Sequence, residues 1–307
     1  MRWQHLAPGA QLHGVDGTVQ VIRQLQGLEW AAAEWETEVL PRRVANYDPA
    51  LLDELCLSGE VMWGRLSPHP AFDRETNRDG RRVRPTRVAP LALFLREDAE
   101  WLLAFPEPQS AESLSHAGRD VLLMLQTRGA SFFYELVQNT GRPASEVEDA
   151  LWELVSGGLV TADGFENLRA LIDPRRRRGG RGGTSGPRHA PGRWALLRHS
   201  KSNTPERVEC FARQLLQRWG VVFRDVVAKE TLAPAWRDIL VVLRRMETRG
   251  EVRGGRFAAA FVGEHFALPE ALDLLRAVKR AGEVSVDWAG LPSWLAGHRY
   301  LSARIAS

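Results

Sequence analysis

The feature that most constrains this chain is a ten-residue frame, L-x-x-[LM]-x-x-x-G-x-V, that occurs three times: LDELCLSGEV at 52–61, LWELVSGGLV at 151–160 and LRRMETRGEV at 243–252. Leu52 and Leu55, Leu151 and Leu154, and Leu243 and Met246 are three residues apart, so each pair shares one helix face. Gly59, Gly158 and Gly250 follow, where a left-handed residue ends a helix without a Cβ clash. Val61, Val160 and Val252 then open a strand. Helix, glycine turn and strand is the passage from a recognition helix into a wing. Three copies predict winged-helix units in tandem.

The sequence upstream of each frame agrees. Residues 119–137 read as a helix, a break at Arg128-Gly129-Ala130 and a second helix, and Ser145 is expected to cap a third. The last unit runs through 206–220 and 233–250 into RGGRFAAAFV (253–262), a glycine turn between two strand patterns. The first runs through 18–26, 31–40 and 48–57. A plain helical bundle would share the helical spacing, but the strands after the glycines favour winged helices. VAPLALFL (88–95) and AEWLLAF (99–105) are apolar runs whose partners the sequence does not name. Residues 173–193 carry seven arginines against one aspartate; this +6, set against +3 for the whole chain, leaves the remainder at −3. So rich in arginine, glycine and proline, this stretch cannot bury apolar surface and is expected to be a flexible linker. The expected fold is mainly α with short β wings (α+β). Its divisions are a first unit with a strand-containing extension over 1–110, a second winged helix over 111–172, the basic linker 173–193, a third winged helix over 194–282 and an irregular tail over 283–307.

Absent motifs narrow the chemistry. The 307 residues contain no G-x-x-x-x-G-K-[ST] phosphate loop, no acidic metal-holding motif beside one and no nucleophile elbow. The eight histidines never stand at metal-ligand spacing with each other or with Cys56 and Cys210. Those two cysteines read as buried free thiols in a reducing compartment. With no apolar run of about 18 residues and no apolar stretch after Met1, neither a membrane span nor a signal peptide is read. A cytoplasmic, nucleoid-associated protein is expected, with no membrane partner, no metal and no cofactor of its own.

Arginine beside tryptophan is the positive signal. The chain has eleven tryptophans, most of them expected in packing; Trp63 with Arg65, Arg218 with Trp219 and Trp236 with Arg237 are candidates for stacking on unpaired bases while a guanidinium holds phosphate. Arg244, Arg245, Arg249, Arg253 and Arg256 make the last unit the best candidate for duplex contact, through its third helix and wing. Arg175, Arg176, Arg177 and Arg178 would bind phosphate without regard to sequence.

Longer segments carry a family resemblance. Residues 3–27, 35–66, 192–230 and 253–276 resemble, in order, the C-terminal extension of Lhr-type (large helicase-related) superfamily 2 DNA helicases. The resemblance implies tandem winged helices and a small β-barrel behind an ATP-driven motor. This sequence shows no motor motif, and residues 284–307 depart from the barrel pattern. ATP and magnesium would enter only through a fused motor. That extension is in turn similar to the AlkZ-type winged-helix DNA glycosylases, whose Gln-apolar-Gln signature falls here on Gln24-Leu25-Gln26. Those glutamines would orient a water towards a flipped nucleotide, with Arg42 or Arg43 on the neighbouring phosphate. The leading expectation is an accessory module that binds duplex or single-stranded DNA and works with a helicase motor in cis or in trans. A DNA glycosylase and an oligomerisation platform, the latter implying a homo-oligomer, are the alternatives.

Overall fold

The computed structural model describes residues 1–67, 89–103, 114–172, 192–197, 205–258 and 261–281. The chain forms two compact units, one of Leu12–Asn203 and one of Met1–Gln11 with Thr204–Ser307.

In the first of these, two winged helices follow one another. The amphipathic helix α1 (Gly14–Leu25) buries Val21, Ile22 and Leu25. A short strand, β1 (Leu12–His13), leads into it and pairs with β3 (Val44–Ala45). β2 (Trp30–Ala31) and a π-helical turn over Trp35–Val39 follow. α2 (Pro49–Leu57) is capped by the Asp48 carboxylate, which accepts from Ala50 N at 2.8 Å. β4 (Val61–Gly64) and β5 (Pro90–Leu95) complete the sheet, in the order β2-β5-β4. The apolar run at 88–95 thus finds its partners on both sides, and α3 (Ala99–Leu102) follows it.

The second winged helix repeats this plan. It consists of α4 (His116–Arg128), β6 (Ser131–Phe132), α5 (Phe133–Thr140), α6 (Ala144–Ser156), β7 (Val160–Ala162), α7 (Phe165–Ile172) and β8 (Arg193–Leu196). Its sheet order is β6-β8-β7. Pro143, not Ser145, stands at the N-cap of α6, because its fixed φ already leads into the helix and Ser145 lies inside the first turn.

β8 changes the expected organisation. Arg193–Leu196 pairs with both β6 and β7, so the arginine-rich stretch joins two strands of one wing and does not link two domains. Residues 173–191 themselves lie outside the described residues. The expected division at 110/111 also falls within one compact unit. There β4 and β7 lie side by side: Thr161 Oγ1 donates to Trp63 O at 2.6 Å, and Trp63 Nε1 donates to Gly164 O. Trp63, Phe165 and Trp194 meet edge to face in a shared core.

The other unit holds the third winged helix: α8 (Pro205–Trp219), β9 (Val221–Val222), α9 (Arg224–Val227), α10 (Trp236–Thr248), β10 (Arg253–Gly255) and β11 (His265–Ala267), followed by α11 (Pro269–Ala281). The sheet order β10-β11-β9 is the same one again. The second wing strand is His265–Ala267, beyond the 253–262 stretch that the sequence pattern suggested. Residues 1–11, expected in the first unit, belong here. Trp3 Nε1 donates to Gln217 O at 3.0 Å, and its ring covers Gly220, where a Cβ would lie 3.0 Å from it. Arg218 and Glu230 form a buried ion pair beneath, and Trp219 Nε1 donates to Glu230 at 2.6 Å.

Candidate nucleic-acid interface

A winged helix contacts duplex DNA through its third helix and its wing, so the exposure of those parts decides which unit can bind. In the first, α2 carries Asp53 and Glu54 and packs against α7. Arg169 on α7 clamps it, with Nε 2.6 Å from Glu36 and Nη1 2.7 Å from Asp53. Burial opposes the Arg169 charge, but the hydrogen bonds from Glu36 and Asp53 outweigh it and hold the guanidinium above its ordinary value. In the second, α6 is buried continuously from Ala150 to Ser156, which leaves that half no face for a groove.

The third differs. Ile239, Val242, Leu243 and Met246 of α10 face the core, while Arg237, Val241, Arg244 and Thr248, spaced four, three and four apart, form an exposed stripe with Arg245 beside it. The wing that follows presents Arg253 and Arg256, both exposed. It is pinned at two points. Gly254 N donates to Glu247 Oε1 on α10 at 3.0 Å, and a Cβ at Gly254 would collide with that carboxylate. His265 Nδ1 accepts from Phe257 N at 3.1 Å and Ala258 N at 3.3 Å, which closes the other side. The His265 side chain is fully buried; burial, with the Arg256 charge adding to it, lowers its pKa below the usual 6.5. The imidazole is thereby kept neutral and able to accept.

The candidate arginines of this unit separate by partner. Arg244 makes a two-toothed pair with Glu264, 2.8 Å at its closest. Arg249 is held by Glu209 at 3.2 Å and Glu251 at 3.4 Å. Arg245, Arg253 and Arg256 have no ion-pair partner among the described residues. These three guanidiniums are exposed, as is Arg237 at the start of α10, which has the Asp238 carboxylate 3.4 Å away.

The remaining candidates lie elsewhere. Arg43 is fully buried, donates to Val39 O at 3.0 Å and is lowered to about 9, chiefly by burial; it cannot reach a phosphate. Arg42 pairs with Glu38 at 2.7 Å. Trp63 lies in the core between the two wings, with no face for a base, and Arg65 is buried with Nε on Ser67 O at 2.5 Å. Arg218 is buried against Glu230. Arg175, Arg176, Arg177 and Arg178 lie outside the described residues.

Gln24 and Gln26 are both buried near the end of α1. Gln26 Oε1 accepts from Leu95 N at 3.1 Å, and Nε2 donates to Asp98 Oδ2 at 2.8 Å. Asp98 also accepts from Trp101 Nε1 at 2.7 Å. Gln26 thus ties the end of α1 to the end of β5 and orients a carboxylate that the sequence reading missed. Asp98 lies 72 residues away in the chain and belongs to no motif. Among the described residues no group of three or more His, Cys, Asp or Glu could hold a metal ion, and no helix is long and apolar enough to cross a membrane.

Three helix-turn-helix units with one strand order, each closing a three-stranded wing, define a tandem winged-helix protein. Comparison with known proteins gives the family. Models described as large helicase-related protein, winged-helix domain, match residues 1–83 and 201–286. The chain is 32% identical over 296 residues to the Lhr helicase/probable uracil glycosylase of Mycolicibacterium smegmatis (strain ATCC 700084 / mc(2)155), covering 89% of this chain and 18% of that protein. It is 30% identical over 296 residues to the Lhr helicase/uracil glycosylase of Escherichia coli (strain K12), covering 88% and 18%. The chain belongs to the C-terminal winged-helix region of the Lhr family, and it spans about a fifth of the length of these relatives.

Proposed function

We propose that this chain is a DNA-binding accessory region of an Lhr-type repair helicase, with the third winged helix making the duplex contact. One observation carries the reading: of the three units, only the third leaves its recognition helix exposed and basic, next to a wing whose two arginines are held ready by Glu247 and His265. The guanidiniums address phosphates. The exposed face of α10 offers no Asn or Gln for reading bases, so binding tolerates sequence. The motor acts in the same protein or as a partner. The test is fluorescence anisotropy with a labelled duplex across a salt series. Affinity is expected to fall steeply with salt, and Arg253→Ala with Arg256→Ala to weaken binding. Affinity that ignores salt, or that survives both substitutions, would overturn the reading.

A second reading is excision of uracil, favoured by alignment of nearly the whole chain with two relatives that bear that activity in their names. In it the Asp98 carboxylate orients the attacking water and Gln26 positions the carboxylate, as the 2.8 Å bond between them supports. Incubation with a uracil-containing duplex and alkaline cleavage tests it. Breaks that disappear in Asp98→Asn and in Gln26→Ala support this reading; equal breakage in every variant, or none, rejects it.

A further inference from the structure

The second winged helix buries the C-terminal half of its recognition helix, and it exposes an aromatic pair. Phe132 on β6 and Tyr134 at the start of α5 are 40% and 59% exposed, with ring centroids 5.9 Å apart and planes 18° from parallel. Strand alternation turns Ser131 and its partner Trp194 into the core, and Phe132 and its partner Arg193 outward. Phe132 and Arg193 are therefore side by side on the outer face of the sheet. Arg193 is half exposed and is steered by Asp163, 2.9 Å away.

We propose that Phe132, Tyr134 and Arg193 form a stacking platform for the unpaired bases of single-stranded nucleic acid. Two near-parallel rings extend a π surface onto which further bases add, and a guanidinium one strand away meets the phosphate that accompanies them. The chain between β7 and β8 carries four net positive charges in its sequence, which favours a polyanion over a neutral partner near this strand. The patch is also too small for a protein interface. Two aromatic side chains offer at most about 500 Å², against roughly 800 Å² per partner in a stable complex. This site is separate from the duplex contact of the third winged helix and calls for different substitutions.

The test uses the full chain and a fluorescein-labelled oligothymidylate of about 12 nucleotides, within the usual range of such sites. Replacing Phe132 and Tyr134 together by leucine keeps apolar surface but removes both π faces. Affinity for the oligothymidylate is expected to fall at least about fivefold, while duplex affinity stays within about twofold and the urea midpoint is unchanged. Tyr134→Trp, which keeps a ring, is expected to retain binding and serves if the double variant fails to fold. The loss should persist in the Arg253→Ala, Arg256→Ala background, which separates it from failure of the duplex contact. Unchanged oligothymidylate affinity in the leucine variant, an equal loss on duplex, or an effect confined to self-association in sedimentation would each overturn the proposal.

Discussion

Arg43 and Arg256 carry the same side chain into opposite environments. Arg43 sits beneath the turn after Trp35–Val39, where lost hydration, with the neighbouring Arg42 charge adding to it, drops its pKa to about 9. Arg256 projects from a wing into solvent, free to exchange counterions for phosphates. Replacing Arg43 by alanine should therefore destabilise the fold without changing the salt slope of DNA binding. Each of Arg253→Ala and Arg256→Ala should flatten a log–log salt plot by about one unit and leave the urea midpoint in place. His265 allows a test by pH. Its pKa is lowered in the fold from 6.5, so the unfolded chain binds the proton more readily. Its contribution is then fully present above that value and lost as pH falls through the lowered folded pKa. Urea midpoints of the full chain should drop as pH is taken from about 7.5 to about 5, beyond any drop in His265→Asn, which keeps an acceptor but cannot titrate. Matching pH profiles in the two proteins would refute this account of the wing.

At the scale of elements, the three repeat glycines show how much of a local structure one residue can encode. Gly59, Gly158 and Gly250 have φ of 80°, 68° and 78°, the left-handed turn that their position after the apolar pair implied. Their surroundings differ, and that difference was not legible in the frame. A Cβ at Gly250 would meet nothing within 4 Å, whereas one at Gly158 would lie 2.7 Å from the Arg65 carbonyl oxygen, where β4 runs beside β7. Gly250→Ala should cost about 1–2 kcal/mol for the left-handed conformation alone. Gly158→Ala should cost more by about 1–3 kcal/mol, because backbone must move. Equal shifts in the urea midpoint would count against this packing. Trp194 belongs to the same core: buried on β8 and edge-on to Trp63, it closes the second wing from the far side of the arginine-rich stretch. Trp194→Ala should destabilise the Leu12–Asn203 unit by roughly 3–5 kcal/mol. A change under about 1 kcal/mol would return residues 194–197 to the third unit, where the sequence pattern had placed them.

For the whole molecule, one consequence needs no coordinates. With no phosphate loop in the 307 residues, the purified chain should show no DNA-stimulated ATP hydrolysis, and turnover that survives repurification would contradict it. The repeat frame, the helix-break-helix upstream of it and the wing glycines are local signals, governed by periodicity and by φ, so the sequence by itself determined three winged helices and their order. Strand partnership is not local. β5 joins β2 and β4, and β8 joins β6 and β7, through hydrogen bonds between residues far apart in the chain, and a short apolar run looks the same whatever it pairs with. The candidate site divides in the same way. The arginine cluster of the last unit could be read from the residues, since charge on one helix and one wing follows from spacing. Which of the three recognition helices presents an exposed basic face depends on tertiary packing: α7 clamps α2 through Arg169, and α6 is buried from Ala150 to Ser156. Trp63 and Arg43 had the residue types of a binding surface and became core, because burial is settled by the neighbours that tertiary packing brings.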